Sequence, residues 1–179
     1  MDFSKIRVRY APSPTGEPHV GNIRTAIFDW LIARNNSGQF IVRVEDTDQA
    51  RKVEGAIDLQ KDSLKWLGLD WDEGLGLEGK YGPYIQSERL TLYTDVAERL
   101  LQSGKAYKCF CNSQRLSKLR EKQLDSKATI VGYDGHCRSL KLDESDISGS
   151  FVVRFKMPDA GLSELDDLVR GHLEFDNSL

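Results

Sequence analysis

Long apolar runs are missing from this sequence. The longest, residues 26–33, is broken by Asp29, and none approaches the ~20 residues that a membrane-spanning helix needs. The opening segment, residues 1–10, alternates polar with apolar residues and has no apolar stretch of the secretory-signal kind. Cysteine is scarce. Three in 179 residues is few and odd, which excludes a disulfide framework and points to a reducing compartment, the cytoplasm. An excess of positive charge is missing too. Lysine and arginine number 25 against 28 acids, a formal net charge of −3. That excludes a globally basic nucleic-acid binder but leaves room for a local basic face. Internal repeats and low-complexity tracts are absent. What remains, 39% hydrophobic and 30% charged, is the composition of a folded soluble protein, with a length that fits one domain, or one domain carrying a large insertion.

The pattern that is present reads as β–loop–α–β. Ile6, Val8 and Tyr10 alternate with Arg7 and Arg9, a half-buried strand. Pro12, Pro14 and Pro18 then forbid helix and impose an extended loop. A helix starts near Val20 and Gly21, with Ile23, Ile27, Trp30, Leu31 and Arg34 on one face, and Asn35, Asn36, Ser37 and Gly38 stop it. Residues 40–44 form a buried strand, which predicts a right-handed parallel crossover. Residues 53–67 fit a second helix. A short strand or turn then precedes a glycine-rich loop over 74–83. Ser87 reads as the N-cap of a helix over 88–102, and a short helix fits 113–123. Strands are expected at 151–155 and 171–175.

The loop Pro12-Ser13-Pro14-Thr15-Gly16-Glu17-Pro18-His19-Val20-Gly21-Asn22 joins a strand to a helix N-terminus. In an open parallel sheet this edge is where ligands bind. Unpaired N–H groups and the positive dipole end favour phosphate there. Gly21 lets a ligand approach the backbone, and His19 adds a donor. The loop is neither a P-loop nor a dinucleotide fingerprint. Pattern alone leaves His19 as a phosphate contact or as a satisfied turn residue.

The string Val8-Arg9-Tyr10-Ala11-Pro12-Ser13-Pro14-Thr15-Gly16-Glu17-Pro18-His19-Val20-Gly21-Asn22 resembles the first signature of the class I aminoacyl-tRNA synthetases, in the glutamyl form. His19-Val20-Gly21-Asn22 stands where that class carries His-Ile-Gly-His. The resemblance continues through Phe40-Ile41-Val42-Arg43-Val44-Glu45-Asp46-Thr47-Asp48, Trp66-Leu67-Gly68-Leu69, Tyr84-Ile85-Gln86-Ser87-Glu88-Arg89 and Arg170-Gly171, so it covers essentially the whole chain. It implies an ATP-dependent ligase that joins glutamate to tRNA(Glu) through glutamyl-adenylate, with magnesium accompanying ATP. His19 and Gly21 would be catalytic and, with Thr15 and Asn22, would hold ATP. Arg9, Ala11, Ser13 and Glu45 would bind glutamate, Arg9 through a carboxylate and Glu45 through the α-ammonium. Asp46 and Asp48 are expected to be structural caps. Partners would be L-glutamate, ATP and the tRNA acceptor end, with no membrane. Glutamate activation is expected to need bound tRNA.

Cys109 and Cys111 lie close together and Cys137 farther on. Three thiolates and a fourth ligand could make a tetrahedral zinc site, though the spacing is not that of a common zinc finger; the alternative is three unrelated buried cysteines. Some glutamyl synthetases and the related glutamyl-queuosine tRNA(Asp) synthetases resemble this segment and bind zinc here. Where some relatives have a fourth-ligand His, this chain has Ser139. Tyr133, in a Tyr-x-x-x-Cys arrangement with Cys137, would be the alternative fourth ligand, and His136 is a further option. Arg115, Lys118, Arg120, Lys122 and Lys127 could meet tRNA phosphates or be a solvated helix face, since Glu121 and Asp125 are interleaved.

The fold expected is α/β: the first half of a Rossmann-like parallel nucleotide-binding domain over 1–106, then the start of the acceptor-end insertion over 107–179, a zinc-stapled α+β segment. The second, lysine-rich signature of the class is not found in the sequence, and the chain ends just after an apparent strand. It therefore reads as an N-terminal fragment, inactive alone in full aminoacylation. The alternatives are a fragment of a glutamyl-queuosine tRNA(Asp) synthetase and a non-catalytic zinc-containing module that binds nucleotide or RNA.

Overall fold

The computed structural model describes residues 6–128, 131–140, 150–167 and 169–177. Residues 1–5 and 178–179, both part of the sequence reading, lie outside them. The chain divides into two compact units, 1–93 and 94–179.

The first unit is built on a parallel sheet in the order β1–β2–β3, with β1 at Arg7–Tyr10, β2 at Gln39–Val42 and β3 at Glu73–Gly74. Helix α1 (Val20–Asn35) connects β1 to β2, and α2 (Ala56–Trp66) connects β2 to β3. Register pairs Val8 with Phe40 and Tyr10 with Val42, then Val42 with Gly74. Phe40, Val42 and Tyr10 from the sheet and Val44 just past β2 meet Ala26 and Ala33 from α1, Leu64 from α2, and Leu69 and Leu75. Burying apolar area of this kind stabilises by ~25 cal/mol per Å².

Several details depart from the sequence expectation. On α1 the buried positions are Ala26 and Ala33, with Ile27 and Trp30 packed at their edge. Leu31, expected inside, is exposed. The two alanines let the helix lie close to the sheet, and bulky Leu31 turns away. Helix α2 starts at Ala56, three residues later than expected. The Val53 amide is held by the Pro14 carbonyl at 2.9 Å, and Gly55 is left-handed at φ 78°, which no helix can continue through. Ser87 does not cap α3 (Leu90–Gln102). Its N–H and Oγ–H both donate to the Asp46 carboxylate, at 2.9 and 2.7 Å, and a 3₁₀ turn over Gln86–Arg89 precedes the helix.

The second unit contains two antiparallel strand pairs. Strand β4 (Ala106–Cys109) pairs with β5 (Val152–Phe155). Strand β6 (Leu162–Asp167) pairs with β7 (Gly171–Asp176) in a hairpin. Helix α4 (Ser113–Asp125) is capped by Asn112, whose Oδ1 accepts from the Arg115 amide at 2.9 Å. The sequence pattern does not predict strands β4 and β6. Leu162-Ser163-Glu164-Leu165-Asp166-Asp167 lacks β-branched and aromatic residues, and pairing supplies what propensity does not. Among the described residues, no helix is long and apolar enough to cross a membrane.

Candidate functional site

Past β1 the chain stays extended and bonds through one edge. The carbonyls of Tyr10, Pro12 and Pro14 accept from the amides of Arg43, Glu45 and Val53, at 3.1, 2.9 and 2.9 Å. Pro12 and Pro14 are buried, while Ser13 and Thr15 between them are exposed. Proline has no N–H to leave unsatisfied, so a one-sided ladder suits this stretch. The segment after β2 is clamped from the other side as well. Val44 exchanges backbone bonds with Tyr84 and Gln86, each at 2.9 Å, and the buried Asp46 holds Ser87. Burial pushes the Asp46 carboxyl up, but the Ser87 bonds and Lys52 outweigh it and leave it below the usual range. Asp48 caps the following 3₁₀ turn through the Arg51 amide. Glu45 thus stands on backbone fixed on both sides.

Arg9 and Glu45 are brought together: Nη1 of Arg9 lies 2.6 Å from Oε1 of Glu45, with both side chains about a third exposed. Arg43 reaches the same oxygen at 3.4 Å, and its Nε is buried without a partner. Asp29 of α1 is half-buried and acts electrostatically on Arg9; burial raises its carboxyl, and the Arg9 charge opposes the rise. The sequence does not mark Arg43 as a member of this group, nor Asp29 as a charge that feels Arg9. Asp29 had a signal, since it is the lone charge in the longest apolar stretch.

His19 is the N-cap of α1, and its Nδ1 accepts from the Gly21 amide at 3.1 Å. A Cβ on Gly21 would come within 3.2 Å of that nitrogen, so the missing side chain makes room for the ring. With Nδ1 accepting, a neutral imidazole carries its proton on Nε2. Thr15 and Asn22 are exposed on either side of His19 in sequence, and Ala11 is half-buried.

In the second unit, Cys109 ends β4, Cys111 follows, and Cys137 lies in a 3₁₀ turn (His136–Arg138) entered through left-handed Gly135. The three Sγ atoms lie within 4.8 Å of one another. Tyr133 Oη is 3.3 Å from Cys109 Sγ and 3.6 Å from Cys111 Sγ, and Cys111 and Cys137 are 3.5 Å apart. A tetrahedral zinc with Zn–S of ~2.3 Å has ligand–ligand edges of roughly 3.5–3.8 Å; the 3.5 and 3.6 Å separations match these edges, and the group is one that could hold a metal ion. His136 is exposed and outside the group, and Ser139 is exposed too. Burial raises the Cys109 thiol, but bonds with Tyr133 and the Arg154 guanidinium pull it down to about 6; Arg154 also stacks on the Tyr133 ring at 3.9 Å. Burial pushes the Tyr133 phenol and the Cys111 thiol up. Arg115 belongs to the basic cluster of α4 but pairs with Asp134 at 2.6 Å. Lys118, Arg120, Lys122 and Lys127 are exposed.

Residues 5–179 match the profile of the family described as tRNA synthetases class I (E and Q), catalytic domain. A glutamate–tRNA ligase of Dehalococcoides mccartyi is 57% identical over 175 residues, 98% of this chain and 35% of that protein. One from Bacillus licheniformis is 45% identical over 97% of this chain and 36% of its own length. The chain therefore spans about a third of these relatives. A crystal structure of a glutamate tRNA ligase from Elizabethkingia meningosepticum, in complex with its amino acid, superposes with TM-score 0.84 at 35% identity, covering 97% of this chain and 36% of that one. On the extent of the profile match and the identity to these relatives, the chain belongs to the class I tRNA synthetases of the E and Q group, within their catalytic domain.

Proposed function

We propose that this chain serves in a cytoplasmic glutamate–tRNA ligase, residues 1–106 as the N-terminal half of its Rossmann-like catalytic domain and 107–179 as the start of the acceptor-end insertion. The observation that carries the reading is the Arg9–Glu45 pair at the carboxyl ends of β1 and β2. Free glutamate is a zwitterion with a second carboxylate. A guanidinium fork beside a carboxylate offers each charged end a partner of opposite sign. Arg9 takes a glutamate carboxylate, Glu45 takes the α-ammonium, and Ala11 and Ser13 line the pocket.

ATP, arriving with Mg²⁺, lies at the N-terminus of α1 against Thr15, His19, Gly21 and Asn22. There the helix dipole and the Nε2–H of His19 favour phosphate. The glutamate α-carboxylate attacks the α-phosphorus and pyrophosphate leaves. The glutamyl group then passes to a terminal ribose hydroxyl of tRNA(Glu), and AMP leaves. Positioning and charge stabilisation carry most of this catalysis. Cys109, Cys111, Cys137 and Tyr133 would hold a structural zinc, which staples the insertion that meets the tRNA acceptor end; their mutual distances support this.

The test is calorimetric titration of the folded chain with a non-hydrolysable glutamyl-adenylate analogue. Saturable binding lost in Arg9→Ala and in His19→Ala is the expected result. Binding that survives both substitutions overturns the residue roles. A folded chain that does not bind overturns the reading of this segment as a usable pocket.

A further inference from the structure

The first unit holds a cavity of about 500 Å³ between the end of α2 and the turn that follows β3. Its size is that of a small-molecule site. Lys61 and Lys65 of α2 line it together with Leu69, Trp71, Leu75 and Leu77. None of the residues assigned to glutamate or ATP contributes to it. We propose that it binds a small apolar monocarboxylate, the hydrocarbon body on the leucines and Trp71 and the carboxylate on the two lysines.

The walls are built and held. Leu69 and Leu75 are buried and form an apolar floor. The Trp71 indole is fixed by its Nε1–H, which donates to the Gly74 carbonyl at 2.7 Å. Gly74 and Leu77 close the turn with two reciprocal backbone bonds, each 3.0 Å. Inside that turn Leu75 is left-handed at φ 47°, a conformation a branched side chain rarely adopts. Such strain persists where the surroundings over-determine it, and it gathers at ligand sites. Leu75 both lines the cavity and belongs to the buried core of the unit.

The charge in this cavity is unbalanced. Lys61 and Lys65 stand one helical turn apart, on the same side of α2. Neither forms an ion pair among the described residues. The Lys61 ammonium overhangs the turn, 3.5 Å from where a Cβ on Gly76 would be. Asp70, the acidic member of the lining, is already engaged by Trp30 at 2.9 Å and Arg34 at 3.0 Å. Two like charges over an apolar floor call for an anion with an apolar body, and a carboxylate accepts from both ammonium groups.

Naphthalene-2-carboxylate is the probe, with uncharged naphthalene-2-carboxamide as its control. Both are titrated into the chain by calorimetry and by following the tryptophan indole N–H resonances. The expected result is saturable binding of the carboxylate that moves the Trp71 resonance and leaves that of the exposed Trp66 in place. The Lys61→Ala/Lys65→Ala variant, which leaves the buried core residues in place, should bind the acid at least tenfold more weakly, and the amide should bind the native chain at least tenfold more weakly than the acid does. No saturation up to millimolar carboxylate overturns the proposal. Equal affinity for acid and amide, or affinity unchanged by the double substitution, also overturns it.

Discussion

Replacing Glu73 by alanine tests how much of the first unit rests on one buried charge. The Glu73 carboxylate accepts from Arg7 through both terminal nitrogens, at 2.8 and 3.0 Å, and from the Tyr84 hydroxyl. Its side chain is 8% exposed and that of Arg7 31%. Breaking a buried ion pair from one side typically costs ~3–5 kcal/mol. Water screening of the part-exposed Arg7 lowers that to about 2–3 kcal/mol for Glu73→Ala. In urea unfolding followed by tryptophan fluorescence and circular dichroism, this is a midpoint drop of roughly 1–2 M at ordinary slopes. The pH dependence has a defined sign. The Arg7 hydrogen bonds first, then that of Tyr84, hold the Glu73 carboxyl below its usual range. Its stabilisation is therefore full above the unfolded value of ~4.3 and is lost as pH falls through the lower folded value. The gap between native chain and variant should narrow in acid. A variant within ~0.5 kcal/mol of the native chain at pH 7, the range of ordinary surface substitutions, would refute the reasoning, as would a gap that widens in acid.

Three further outcomes are expected. Asp46→Ala leaves the Ser87 N–H and Oγ–H without their carboxylate and should cost ~2–3 kcal/mol in urea unfolding; because the Asp46 carboxyl is held low, this difference too should fade as pH drops below about 4. Gly74→Ala would put a Cβ 1.9 Å from the Val42 carbonyl oxygen, so β3 must leave β2, and thermal melting should show a loss of more than ~3 kcal/mol. If Cys109, Cys111, Cys137 and Tyr133 hold zinc, the purified chain should contain about one equivalent by elemental analysis, and Tyr133→Phe should weaken zinc retention against a chelator at least ~10-fold; equal retention would remove Tyr133 from the ligand set.

Which elements could be read before the structure follows from what local pattern encodes. Helix α1 was legible because its apolar period, its N-terminal loop and its stop residues agree with one another. Its buried face was not, because Ala26 and Ala33 carry little hydrophobic signal and matter only once the sheet approaches them. Ser87 looked like a helix cap by residue type, and a carboxylate 41 positions away claimed it. Strand β6 exists because β7 pairs with it, a non-local cause that no propensity reports.

The same division holds for the candidate site. Residue types in order along the chain are enough to single out His19 and the three cysteines, and the synthetase resemblance adds Arg9 and Glu45. Those features are strings of side chains between turn residues, and a string survives without coordinates. Tertiary structure alone decided that Arg9 meets Glu45 past the end of the adjacent strand, that Arg43 reaches the same carboxylate, and that Tyr133 rather than His136 faces the cysteines. Each of these depends on strand register, on helix packing, or on the turn at Gly135, and such distances are set by the whole fold.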